Sequence, residues 1–287
     1  MNLSFTIVDV FAEEKYAGNQ LAVVRGAADL SDETLQKITQ EMNYSETTFI
    51  LSDQERDGGY DVRIFTPGGE VPFAGHPTLG TAHVIQDEIL ATPAERVVLN
   101  LEAGKIPVTF GDVLWMRQLP PTFGPKLDPN RLARVLSLEE GDLDDRHPAQ
   151  EVSTGLSAII VPLKNLAALG RCRVNWDLYR ETAAAGKNLY VFCPEPHGDG
   201  PGDISARMFT DASGIPEDPA TGSAAGCLAG YLVEHRLSGA DAVKVRVEQG
   251  YEIHRPSLLY LQAEREGETI NVFVGGKVQV VARGELV

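Results

Sequence analysis

Cysteine is scarce: three residues, Cys172, Cys193 and Cys227, in a chain of 287. They form no CxxC pair and show no Cys/His metal-ligand spacing. Neither a disulfide framework nor a zinc site is expected, and the three read as reduced, buried side chains. Basic residues are also short, 25 Lys and Arg against 41 Asp and Glu, leaving a net charge of −16. Such a field repels phosphate, so nucleic acid and acidic membranes are excluded as expected partners. No window approaches the roughly 18 apolar residues of a membrane helix. The start, MNLSFTIVDVFAEE, lacks a basic n-region and a long apolar core. No signal peptide is expected from it, and a cytoplasmic location is the default. There is no GxGxxG or Walker run, so no nucleotide cofactor is expected, and no metal.

What is present is an ordinary globular composition, 43% hydrophobic and 23% charged. Alternating apolar residues predict strands at Phe5–Val10, Leu21–Val24, Thr47–Leu51, Val62–Phe65, Val97–Leu101, Ile106–Phe110 and Leu114–Leu119. In the second half they fall at Ala158–Leu163, Leu189–Cys193, Ile204–Thr210, Val243–Val247, Leu258–Ala263, Ile270–Val274 and Val278–Ala282. Val274-Gly275-Gly276-Lys277 reads as a tight hairpin. Helices are predicted at Ser31–Tyr44, capped by Ser31, and at Pro77–Leu90, with Pro77 at the first helical position. Others are expected at Pro129–Leu138, Trp176–Ala185 and Thr221–His235. The last is apolar nearly all round, so it must be buried on every face, as a helix wrapped by strands is. The acidic run Glu139–Asp145 reads as a solvated loop.

The halves echo each other. Gly18–Val24 matches Gly155–Val161, and Arg63-Ile64-Phe65-Thr66 matches Arg207-Met208-Phe209-Thr210. Each RxFT run leads through a loop to a small-residue helix start, Gly75-His76 in one half and Gly222-Ser223 in the other. Repeats in the same order, about half the chain apart, predict a duplicated unit and two pseudo-equivalent domains.

A pseudo-dyad would let the two helix starts face one another across a cleft. Each offers open N–H groups and the positive end of a helix dipole. Gly75 and Gly222 leave room for a ligand to approach. An acidic protein could hold a small carboxylate this way without a basic side chain. His76 stands at the first start and Ser223, a natural N-cap, at the second. Asp218 lies in the loop before the second helix, and Glu46 lies where a helix gives way to a strand. Matching Phe49 to Tyr190 places Glu46 opposite Lys187, so only one half carries a carboxylate there. A glutamate in a water-excluding cleft can take a proton from carbon and return it elsewhere on the same face. His76, Asp218 and Ser223 could orient the substrate or spread developing charge. Asn19, at a turn after Gly18, and Ser45, beside Glu46, are further candidate substrate contacts. Arg63 and Arg207 read equally as anion binders or as paired residues pinning loops. His83 shares a helix face with His76 but has no third ligand for a metal.

The runs "NYSETTF", "VPFAGHPTLGTA", "EDPATGSAAG" and "VEQGYEIHRPS", with "DVFAEEKYAGNQLAVV" near the start, resemble those of the PhzF family. The resemblance spans essentially the whole chain. It implies an α+β, diaminopimelate epimerase-like fold with two similar domains. Each would be a curved, mostly antiparallel sheet around a central helix, with the active site between them. The expected domains are 1–118, completed by the last strand at about 277–287, and 119–276. The resemblance also implies cofactor-independent proton transfer and commonly a homodimer. Its phenazine member acts on trans-2,3-dihydro-3-hydroxyanthranilate. By motif match, the proton-carrying glutamate is Glu46, and the supporting residues are His76, Asp218 and Ser223. Racemases and epimerases of the same superfamily use two cysteines at the helix starts, where this chain has His76 and Ser223. The leading expectation is therefore an isomerase that shifts a proton within a small carboxylate. An amino-acid racemase or epimerase, and a non-catalytic binding protein, are the alternatives.

Overall fold

A computed structural model describes residues 3–182, 184–211, 216–237 and 239–287. The chain divides into two compact units, Met1–Arg117 with Gly275–Val287, and Gln118–Val274. In the first unit the elements are β1 (Leu3–Val10), β2 (Asn19–Arg25), α1 (Asp32–Met42), β3 (Glu46–Ile50), β4 (Tyr60–Thr66) and β5 (Gly69–Val71). They continue with α2 (Gly75–Glu88), β6 (Arg96–Leu101), β7 (Gly104–Thr109) and β8 (Leu114–Arg117), and the closing strand Val278–Leu286 belongs with them. β1 pairs antiparallel with β2 and with the closing strand. β2 and β3 are parallel, β3 and β4 antiparallel. β4 is antiparallel to β5 and parallel to β6, and β6, β7 and β8 form an antiparallel meander.

The second unit repeats the plan. Its elements are β9 (Thr122–Lys126), α3 (Pro129–Val135), β10 (Gln150–Ser153), β11 (Ser157–Pro162), α4 (Leu166–Arg171), α5 (Trp176–Arg180) and β12 (Asn188–Cys193). β13 (Ile204–Phe209), β14 (Glu217–Asp218), α6 (Gly222–Glu234), β15 (Ala242–Gln249), β16 (Ser257–Glu266) and β17 (Thr269–Gly276) follow. β11 is parallel to β12 as β2 is to β3, and β13 is parallel to β15 as β4 is to β6. β10–β11, β12–β13, β13–β14 and β15–β16 are antiparallel, like their counterparts. The duplication read from RxFT therefore extends to strand order and pairing sense.

Each unit is built around one buried helix. α6 is buried along nearly its whole length, from Gly222 through Val233, as its all-round apolar sequence requires. Glycines set how closely each helix is approached. A Cβ on Gly80 of α2 would stand 2.6 Å from Leu21 Cδ2, and one on Gly230 of α6 would stand 2.8 Å from Pro121 Cβ. The outer helices α1, α3, α4 and α5 are capped by the side chains of Ser31, Asp128, Asn165 and Asn175.

The structure corrects several expectations. α2 starts at Gly75, because Ala74 already has the extended cap conformation, so Pro77 is its third residue. Thr221, not Ser223, is the N-cap of α6. Gly275 and Gly276 do not form a hairpin. They lie inside β17 without the positive φ such a turn needs, and Val278–Leu286 pairs with β1. The acidic run is not wholly solvated. Leu143 and Asp144 are buried, Leu143 bridges Leu163, and Asp144 N–H donates to the Pro162 carbonyl. The expected helix Trp176–Ala185 stops at Arg180, and its residue 183 lies outside the described residues.

Candidate active site

In the first unit, parallel pairing brings the starts of β2 and β3 side by side, with Leu21 opposite Glu46. Asn19 is buried at the beginning of β2, and Ser45 is half-buried on the turn before β3. The start of α2 meets this edge. His76, at the second position of the helix, is 5% exposed, and its Nε2 stands 3.5 Å from Glu46 Oε2. The Glu46 side chain is itself 18% exposed, so it is turned inward rather than out to solvent.

Burial pulls the His76 pKa down to about 3, only partly opposed by a bond to the Gln20 backbone carbonyl. The ring is therefore neutral near pH 7, and the close approach to Glu46 is not an ion pair. His76 Nε2 makes no hydrogen bond among the described residues, so the ring donates to Gln20 through Nδ1. In the tautomer that carries its proton on Nδ1, Nε2 has a lone pair and can only accept. A protonated Glu46 can donate to it. An ionised Glu46 faces a second acceptor at that nitrogen and receives no hydrogen bond from it.

α2 has no side-chain cap and no acidic residue in its first turn. α6 in the second unit matches it in both respects. Their first backbone N–H groups, at Gly75 and His76 and at Gly222 and Ser223, have no partner within their own helices. Thr221 is the N-cap residue of α6, but its hydroxyl makes no cap hydrogen bond and donates to Asp218 Oδ2 at 2.5 Å. Below that start, Gln118 Nε2 donates to the Gly222 carbonyl at 2.9 Å, and Thr154 Oγ1 donates to Gln118 Oε1 at 2.6 Å. Asp218 and Ser223 thus occupy the turn and first coil of one buried helix, as Glu46 and His76 gather at the other.

The arginines of the RxFT runs take no part. Arg63 forks onto Glu70 and reaches Asp32. Arg207, 4% exposed, forks onto Glu217 and donates to the Leu169 and Cys172 carbonyls. They are pairing residues that pin loops.

With this geometry in view, a model of the phenazine biosynthesis-like protein family matches residues 8–284. The chain belongs to this family, the PhzF family. The trans-2,3-dihydro-3-hydroxyanthranilate isomerase of Pseudomonas aeruginosa is 36% identical over 287 residues, covering 98% of this chain and 98% of the relative. A Bacillus anthracis phenazine biosynthesis protein of the PhzF family superposes with a TM-score of 0.91 at 27% identity, covering 100% of this chain and 99% of that one. A hydroxyproline epimerase of Agrobacterium vitis, 9% identical, shares the fold with a TM-score of 0.60, covering 99% of this chain and 91% of that one. The chain is an isomerase, and its fold is the α+β, diaminopimelate epimerase-like one.

Within the PhzF family fold, the register revises one equivalence. Val24 and Val161 match between the units. Val24 pairs with Phe49, which pairs with Arg63, and Val161 pairs with Val191, which pairs with Arg207. Phe49 therefore matches Val191, and Glu46 matches Asn188 rather than Lys187, which instead bonds Glu151. The armed position still has no carboxylate in the second unit. No cysteine stands at either helix start. Burial pushes Cys172 up to about 12 and Cys193 up to about 11, and raises Cys227 as well. Two contributors lie in the quoted runs but carry no chemical signal there: the Gln20 carbonyl, in "DVFAEEKYAGNQLAVV", and Thr221, in "EDPATGSAAG".

Proposed function

We propose that this isomerase moves a proton between two carbons of a small carboxylate-bearing substrate, with Glu46 carrying the proton. Ionised Glu46 takes a proton from a C–H bond, and the electron pair passes into the conjugated system of the substrate. Protonated Glu46, its hydrogen directed at His76 Nε2 or at the substrate, then returns the proton to a different carbon. No atom is gained or lost, and nothing is oxidised. The N–H groups at the start of α2 are the proposed grip for the carboxylate, and those at the start of α6, with Ser223 and Asp218 beside them, are the corresponding proposed grip of the second unit.

The observation that carries this reading is the approach of Glu46 Oε2 to a buried, neutral, acceptor-only His76 nitrogen at 3.5 Å. The relatives' printed activity supports trans-2,3-dihydro-3-hydroxyanthranilate, or a compound of the same ring-carboxylate class, as substrate. Buried, neutral thiols away from both helix starts count against a two-thiol racemase. The test is incubation of that compound in heavy water, followed by NMR. Relocation of a double bond supports the reading. Exchange confined to one stereocentre, with no bond relocated, overturns it in favour of an epimerase.

A further inference from the structure

The "VEQG" run at Val247–Gly250 has no part in the reading above, yet it ends β15 against the turn that carries Asp218. Gly250 has φ +81°, and a Cβ there would lie 2.4 Å from the Arg255 carbonyl oxygen and 2.6 Å from that of Pro219. Only glycine allows the strand end to come so close to the Asp218–Thr221 turn. The contact is made by Gln249, which is completely buried.

Every hydrogen-bonding capacity of this amide is filled. Oε1 accepts from the Tyr190 hydroxyl at 3.1 Å and from Thr221 N–H at 3.2 Å. Nε2 donates to the Asp218 backbone carbonyl at 2.8 Å and to Thr221 Oγ1 at 3.2 Å. The orientation is forced, because Thr221 N–H can only donate and the Asp218 carbonyl can only accept. A flipped amide would face like with like at both. Since Thr221 Oγ1 accepts from Gln249, its own proton is free to go to Asp218 Oδ2, where it lies.

We infer that Gln249 is a positioning residue of this site: it sets the direction of the Thr221 hydroxyl so that Asp218 is held as a hydrogen-bond acceptor. The inference rests on the proposed role of Asp218. The device belongs to one unit only. By the β4–β6 and β13–β15 registers, the counterpart of Gln249 is Leu101, which has no amide. The other titratable groups at this turn do not compete. Tyr190 and Cys227 stay protonated, raised by burial, and Glu217 is held by Arg207.

An ionised carboxylate at position 249 would accept the Thr221 proton and withdraw it from Asp218, easing protonation of Asp218. The experiment is carboxyl-carbon NMR titration of the full chain labelled with 13C-aspartate, beside the pH profile of kcat on trans-2,3-dihydro-3-hydroxyanthranilate. Gln249→Glu is expected to move the Asp218 midpoint upward by about one unit. Thr221→Val is expected to move it in the same direction, and the double variant no further than Thr221→Val alone. The acidic limb of the kcat profile should follow the midpoint. An unmoved midpoint in Gln249→Glu, or fully additive shifts, overturns the inference. A moved midpoint with an unmoved kcat profile overturns the link to the reaction. If wild type does not turn the compound over, the proposed substrate fails, and the NMR arm still decides the role of Gln249.

Discussion

Replacing His76 with asparagine should remove a defined part of the acid sensitivity of this protein. The folded ring, held near pKa 3 by burial, takes up almost no proton above about pH 4.5. In the unfolded chain the same ring titrates near its ordinary value of about 6.5. Between those values the unfolded state binds more protons, so stability rises with pH through the window and is lost progressively as pH falls through it. The loss at a given pH is RT ln(1 + 10^(6.5−pH)). That is about 1.4 kcal/mol at about pH 5.5 and under about 0.1 kcal/mol at about pH 7.5. Equilibrium urea denaturation at both pH values, on wild type and His76→Asn, isolates this contribution provided the m-values agree. Wild type should lose about 1.3 kcal/mol more than the variant on acidification. Identical responses, or a His76 ring resonance titrating near 6.5 in the folded protein, would refute a buried neutral ring and the acceptor nitrogen built on it.

His197 should act with the opposite sign. Burial works to lower it, but Glu252 and Glu248 together raise it, so its contribution is full below the unfolded pKa and is lost as pH rises through the folded value; His197→Asn should flatten the alkaline side of the stability profile. Gly80→Ala forces a methyl to within 2.6 Å of Leu21 Cδ2 and should lower stability by about 1–3 kcal/mol in chemical denaturation. Leu228→Ala opens a cavity in the face of a fully buried helix, and a loss of about 2–5 kcal/mol is expected from the same assay. Arg207→Lys keeps the charge but loses the planar fork that pairs Nε and Nη2 with Glu217; a lower thermal midpoint is expected, and an unchanged one would contradict the pinning role.

Much of this was legible in the residues because the signals were local. Ser31 ahead of an amphipathic stretch gave α1 its cap, and the unbroken apolar run after Gly222 required a helix buried on all sides. β9 was not legible, since Thr122-Phe123-Gly124-Pro125-Lys126 carries a glycine and a proline that usually interrupt strands. The two-residue β14 has no periodicity to detect, although it sets Asp218 in place. The Gly275-Gly276 pair reads as a turn by composition, but close packing against Leu114 and Phe11, not backbone reversal, accounts for both glycines. Glu46 and His76 could be named from motif, but their contact depends on parallel pairing of β2 with β3, which no local pattern states. Gln249 was invisible as a functional residue for the same reason: a buried amide has meaning only through its partners.

Glu46 is proposed as the proton carrier and not merely as a buried polar side chain. Glu46→Gln keeps the shape and removes the transferable proton, so kcat and the dissociation constant should separate. Trans-2,3-dihydro-3-hydroxyanthranilate should bind the variant with an affinity near that of wild type, while kcat falls by about 10²- to 10⁴-fold. A variant that turns the compound over at the wild-type rate would contradict it.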